Sequence, residues 1–297
     1  MAYLCCPITF PVMRVCLLAL FTLVLATSLS AGPWPRGKGS AYLKLYEFWL
    51  RFDEHYTSTG ELDPNATLGL YNTALYGEYG LTDRLTAVVN LPFYSRNVIN
   101  NQVSGTRGNI IIPGEAISGI GDADLSLRYT ISKAGAAVPF SATLTLGLPL
   151  GEDAGGEQMN LQTGDGEFNQ LVSLEAGRSF SPNFYATASV GVNNRTNGFS
   201  DEFRFSLEAG YALGNRRVWL IGRLTGVESL QNGETAATIS STSIFSNNAE
   251  FLSVGGELNV YVTDKLGLSA GAATALSGKV IAAAPAFTAG VFLDLGR

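Results

Sequence analysis

The stretch Phe203-Arg204-Phe205-Ser206-Leu207-Glu208-Ala209-Gly210-Tyr211-Ala212-Leu213 alternates with a period of two. Phe203, Phe205, Leu207, Ala209, Tyr211 and Leu213 share one parity, while Arg204, Ser206, Glu208, Gly210 and Ala212 share the other. A helix would scatter these residues around its axis, whereas an extended strand sorts them onto two faces. The same sorting separates Phe140, Ala142, Leu144, Leu146 and Leu148 from Ser141, Thr143, Thr145 and Gly147. It recurs over Leu85 to Phe93, Phe184 to Val192, Leu252 to Val262 and Leu266 to Leu276, so the fold class is all-β.

Composition bears on which face meets which solvent. The chain has 297 residues, 46% hydrophobic and only 15% charged, with 34 glycines, whereas soluble globular proteins carry about 25% charged residues. The polar parities hold mainly Gly, Ser, Thr, Asn and isolated charges, with few of the Lys and Glu that coat a soluble sheet. That content suits a membrane barrel, apolar outside and small or polar inside. Turn formers divide the chain into twelve strands, near 40–53, 66–81, 84–97, 119–132, 138–150, 167–180, 183–196, 201–213, 216–230, 249–263, 265–278 and 284–295. Tight links at Thr82-Asp83, Ser132 to Ala137, Ser181 to Asn183, Gly214-Asn215 and Thr263-Asp264 alternate with links that are mostly long and polar, such as Val98 to Ser118 and Gln231 to Asn248. The reading is an antiparallel transmembrane β-barrel of about twelve strands, with short periplasmic turns and longer extracellular loops.

The first 31 residues read differently. Arg14 is the only charge before Arg36, Val15 to Ala26 is apolar, and small residues follow at Ala26, Ser28, Ser30 and Ala31. This is the pattern of a secretory signal peptide cleaved between Ala26 and Gly32, leaving 32–297 as the barrel. Met13 is an alternative start. All three cysteines (Cys5, Cys6, Cys16) fall in this segment, so the remainder has neither a disulfide framework nor a cysteine zinc site. No later apolar run approaches the length of a membrane helix, and a formal charge of −6 excludes the basic footprint of a nucleic-acid partner.

Three local expectations follow. In the first strand Leu43 and Leu45 share a parity that Phe48, Leu50 and Phe52 reverse, which calls for a bulge near Tyr46-Glu47. Lys44 and Asp294 then point inward near the periplasmic end and are expected to meet across the closing seam. Tyr79, Phe180, Phe184, Tyr211, Trp219 and Tyr261 cluster at tight turns, where aromatic rings mark a membrane interface. The last strand, Thr288 to Leu295, has the spacing of a C-terminal signal read by the barrel-assembly machinery, although it continues through Gly296-Arg297 instead of ending on an aromatic residue. Expected partners are therefore outer-membrane lipids, that machinery and a small-molecule solute, with no cofactor.

Four islands follow one another: Leu91-Pro92-Phe93-Tyr94, Gly119-Ile120-Gly121-Asp122-Ala123-Asp124-Leu125-Ser126-Leu127-Arg128-Tyr129, Gly147-Leu148-Pro149-Leu150-Gly151 and Leu161-Gln162-Thr163-Gly164-Asp165-Gly166. Their order resembles the outer-membrane β-barrel family associated with the phenol meta-cleavage degradation pathway, transporters encoded near aromatic-degradation genes. The resemblance spans residues 70 to 200, and the other strands match as a generic barrel. It implies a barrel that passes small hydrophobic or aromatic molecules.

Inward parity collects Asp122, Asp124 and Arg128 on the fourth strand, Glu175 on the sixth, and Arg204 and Glu208 on the eighth. Arg223 follows on the ninth, Glu257 and Asn259 on the tenth, and Asp294 on the twelfth. Six acids against three arginines give a net negative lumen that favours cations or neutral solutes. The alternative is that these charges interlock and stiffen a non-conducting barrel, structural or associated with a surface polymer. A lipid-modifying enzyme is a third reading, resting on His55, the single histidine, with Ser58 and Asn65 close in sequence but no motif that sets a nucleophile beside it. Glu152, Asp153, Glu157, Asp165 and Glu167 could supply oxygen ligands to calcium, but their order does not match the EF-hand spacing, and solvated loop acids are the expectation.

Overall fold

A computed structural model of the chain describes residues 32–64, 67–157, 161–234 and 245–296. Residues 1–31, to which the sequence reading assigns a signal peptide, and Asn65 lie outside the described residues. Twelve strands build the wall: β1 (Ala41–Phe52), β2 (Leu68–Gly80), β3 (Leu85–Ile99), β4 (Ala123–Thr130), β5 (Phe140–Leu148), β6 (Asn169–Ser181), β7 (Phe184–Arg195), β8 (Glu202–Leu213), β9 (Val218–Ser229), β10 (Glu250–Tyr261), β11 (Leu266–Lys279) and β12 (Ala286–Asp294). Each pairs antiparallel with its sequence neighbour, and β12 closes on β1 from Tyr42↔Asp294 to Leu50↔Ala286. Closure leaves no strand edge, as lipid requires of a spanning sheet.

The fourth rung is broken in two. Glu115–Gly119 pairs with the upper part of β3 and β4 with its lower part, and between them Gly121 N–H donates to the Pro92 carbonyl. Proline has no N–H to give the ladder, so pairing lapses where Pro92 stands. The strand therefore begins four residues earlier than its alternation suggests, and the loop before it carries a small hairpin, Gln102–Val103 with Ile110–Ile112. Connections on the β1 N-terminal rim are tight. At the β8–β9 turn Gly214, Asn215 and Arg216 adopt positive φ, the hand that joins twisted strands.

The outer surface is apolar. Leu45, Leu127, Leu174, Leu207, Leu268 and Val291 each leave about half or slightly less of their surface uncovered, and all share the outward parity. A continuous belt of this kind is untenable in water and is what acyl chains require.

Strand β1 departs from its expected form. Its register to β2 and β12 is unbroken, so there is no bulge at Tyr46-Glu47. Leu43 and Leu45 face lipid, while Phe48, Leu50 and Phe52 face inward, where Leu50 and Phe52 are buried in an apolar cluster with Leu68, Leu70, Ile99, Leu161, Ala282 and Ala286 beneath the outer loops. The hydrophobic parity switches because the barrel interior turns from polar to apolar partway up the strand. Real bulges fall elsewhere, between Thr73 and Leu75 on β2 and at Leu252/Ser253 on β10. Glu47 consequently points outward and accepts a hydrogen bond from Thr73 Oγ1 at 2.7 Å.

The buried cluster caps the barrel, so emptying it has a cost. Phe52→Ala should lower unfolding stability by about 3–5 kcal/mol, the usual range for truncating a buried phenylalanine. Urea titration in detergent micelles measures this, and an outward change such as Leu45→Ala should cost much less in the same assay.

Candidate functional site

Inward parity, closed into a tube, creates two chambers along the lumen. The lower one, on the side of the tight turns, has a volume of about 410 Å³. Its walls are aromatic: Trp34 meets Tyr185 edge-on at 5.6 Å between centroids, Tyr185 lies 5.7 Å from Trp219, Tyr42 stacks on Phe292 at 5.6 Å, and Tyr261 meets Phe292 at 4.9 Å. Trp219 and Tyr261 thus face the lumen and not the membrane interface, whereas Tyr79, Phe180, Phe184 and Tyr211 do point outward. The upper chamber, about 290 Å³, is lined with hydroxyl and amide groups, among them Asn90, Ser126, Thr145, Ser173, Ser206 and Thr225.

A segment preceding β1 fills the lower end. Gly32 carbonyl accepts from Arg128 Nη1 at 2.8 Å, and Arg36 N–H donates to Thr86 Oγ1 at 3.0 Å. Pro33 packs so closely on β6 that a Cβ at Gly177 would lie 2.9 Å from its ring, which makes glycine necessary there. Arg36 is fixed by Glu78 at 2.7 Å and by Asp294 at 3.1 Å.

Most charges that line the chambers are paired. Lys44 Nζ lies 3.1 Å from Glu257, which also accepts from Arg223 at 3.1 Å; Arg223 donates to Glu208 at 2.5 Å, and Tyr185 hydroxyl donates to the same carboxylate at 2.7 Å. Lys44 therefore points inward but pairs with Glu257 and not with Asp294, which binds Arg36 and accepts from Tyr261. Arg128 stands 3.5 Å from Glu78 and 4.0 Å from Glu175, whose carboxylate accepts from Thr143 Oγ1. Such pairs in a narrow tube offset the cost of taking each ion out of bulk water.

The structure places Arg128, Glu175, Asp124 and Arg204 around the upper chamber, and Arg223, Glu257, Asn259 and Glu208 around the lower one. Asp122 sits in the break before β4. Its carboxylate accepts from the N–H groups of Gly151 and Asp165, and so ties down the loop between β5 and β6. Sequence reading passed over Arg36, Glu78 and the inner aromatic ring. Glu78 shares its parity with Tyr76, and Tyr185 and Phe292 each stand between lipid-facing apolar neighbours, so parity alone carried the signal for these three.

The same loop roofs the barrel. Leu161, Gln162 and Thr163 are buried in its mouth, and Asn97 donates to the Gln162 carbonyl at 3.0 Å. Arg195 anchors the loop through Asp165 at 3.1 Å and Glu167 at 2.7 Å, and also holds Glu202 at 2.8 Å. Asp165 and Glu167 are thus spent on an arginine, and no cluster of three potential metal ligands occurs among the described residues. Burial, then the neighbouring Asp122 carboxylate, push Asp165 up to about 7 against the pull of Arg195. Burial also raises Asp122, against the two N–H groups it accepts from, and raises Glu167, against Arg195. His55 lies at the same rim, in the short strand His55–Tyr56, where its backbone pairs with Asp63 and Ala282. Among the described hydrogen bonds none joins it to a serine.

The raised value of Asp165 has a sign that can be checked. The folded roof keeps a proton that the unfolded chain releases at its ordinary 3.8, so stability falls as pH rises between about 4 and 7 and is flat above that window. Protection factors over 161–167, taken relative to the intrinsic exchange rate at each pH, should therefore fall across that window, and Asp165→Asn should remove most of that fall.

Compared by sequence, the chain matches no family profile and no curated protein. Compared by structure, it is similar to the outer membrane channel from Pseudomonas putida F1, with a TM-score of 0.64 and 15% identity over 91% of this chain and 100% of that one. Weaker likenesses include the NanC porin, with a TM-score of 0.46 and 7% identity over 84% of this chain and 98% of that one. The toluene transporter TbuX of Ralstonia pickettii gives 0.43 and 8% over 87% and 90%. These two carry nothing beyond a general barrel shape. With its closed wall and apolar belt, the chain is an outer-membrane β-barrel of twelve strands.

Proposed function

We propose that this barrel is an outer-membrane channel for small hydrophobic or aromatic solutes, held shut at rest by the segment that precedes its first strand. The observation that carries the reading is the lower chamber, an aromatic-walled space of about 410 Å³ inside the barrel with Trp34 and Arg36 set into its wall. Aromatic faces and edges offer a flat apolar ring favourable contacts, and the paired charges around them accept a polar substituent. Removal of residues 1–31 as a signal peptide would leave Gly32 as the mature N-terminus inside the lumen, next to Arg128. Recognition of the β12 signal by the barrel-assembly machinery belongs to the same reading, as does the family resemblance of residues 70 to 200.

A second reading has a specific observation in its favour. The ladder from Lys44 through Glu257 and Arg223 to Glu208 is what a barrel built for stiffness would contain, with its long loops serving partners outside the cell. The two readings diverge on what loosening the segment does.

Currents through single barrels in planar bilayers decide between them. The wild-type channel should open briefly and rarely, and Arg36→Ala, which releases the segment from Glu78 and Asp294, should raise the open probability several-fold. Phenol added to the bath should shorten those openings. A variant that is folded, by heat-modifiable mobility, yet silent at every voltage would establish the non-conducting barrel instead.

A further inference from the structure

We infer that Asp124 sets the charge selectivity of this lumen and makes the upper chamber a site for small cations, meaning monovalent metal ions and small organic ammonium groups. The inference rests on the channel reading above and adds the residue that would decide which ions pass.

The other acids that line the lumen each have a basic group within 4.0 Å. Glu78 lies between Arg36 and Arg128, Glu175 faces Arg128, Glu208 and Glu257 share Arg223, Glu202 is held by Arg195 and Arg204, and Asp294 takes Arg36. A paired charge acts on a passing ion as a dipole, whose field fades within a few ångströms. An unpaired one acts over the whole width of a narrow pore with low-dielectric walls.

Asp124 is the unpaired one. Among the described residues no basic group lies within 4 Å of its carboxylate. Arg204, the cation across the chamber from it, is turned to Glu202 by two hydrogen bonds of 2.8 and 2.6 Å. Asp124 is also exposed, although it lies on a strand whose inward neighbours Ser126, Arg128 and Thr130 are buried, so its carboxylate opens onto the chamber. Asn90, directly opposite on β3, donates its side-chain amide to that carboxylate while its own oxygen accepts from the Tyr46 hydroxyl, and the hydroxyls of Ser126 and Thr145, bonded to each other at 2.8 Å, line the same chamber. A carboxylate held in place by an amide N–H, with hydroxyl oxygens in the same chamber, replaces part of a cation's hydration shell and repels an anion. The chamber volume of about 290 Å³ leaves room for the ion and its remaining waters.

Reversal potentials across a KCl gradient test this on the mature protein in planar bilayers. Wild type should prefer K⁺ over Cl⁻, and Asp124→Asn should lower the permeability ratio by about threefold or more, as loss of one unit charge several ångströms from the ion path requires. Asp124→Glu should keep the preference, and Asp124→Lys should invert it. The Glu variant also keeps the test intact if the Asn variant fails to assemble. A channel that conducts with the same ratio in wild type and Asp124→Asn overturns the role of Asp124 and leaves the channel reading standing. A correctly folded wild-type barrel that never conducts overturns both.

Discussion

An ionised side chain that points into a narrow barrel walled by lipid is costly to leave without a counter-charge. That constraint organises the interior of this protein. Arg223 lies between Glu208 and Glu257, Arg128 between Glu78 and Glu175, and Arg36 between Glu78 and Asp294. Each arginine joins acids from different strands, so the pairs tie neighbouring parts of the wall together. Truncating one member would strand its partner in a medium that solvates it poorly.

The same pairing shapes the route through the barrel. Because Arg36 reaches two acids on opposite sides of the β1–β12 seam, the segment that carries it is drawn up into the lumen, where Trp34 joins the aromatic wall. At the other end Arg195 draws Asp165 and Glu167 inward and lowers a loop into the mouth. The lower end is thus filled by a segment held through polar contacts, while the loop at the upper end is held both by Arg195 and by Leu161 in the apolar cluster.

Strand count, parity and the sense of the loops were legible because each depends on local chemistry. Period-two alternation reports which face meets lipid, and turn formers report where strands end. Asp124, Arg204, Glu208, Arg223 and Glu257 could be assigned to the lumen from parity alone. Pairing could not be read in this way. Lys44 meets Glu257, 213 residues away, and not Asp294, although Asp294 stands across the adjacent seam; the choice depends on strand tilt and on Arg36 having already occupied Asp294. The same holds for Phe48, Leu50 and Phe52, whose reversed parity looked like a bulge until the apolar cluster under the loops gave those side chains somewhere to go.

By itself, then, the order of residues determined a membrane barrel of about twelve strands and many of the side chains turned inward, since a strand has two faces and each must match one solvent. Only the tertiary structure decided which inward charges cancel, which one stays open to the lumen, and what fills the two ends. Those outcomes depend on distances between groups far apart in the chain, and closure of the barrel is what brings them within reach.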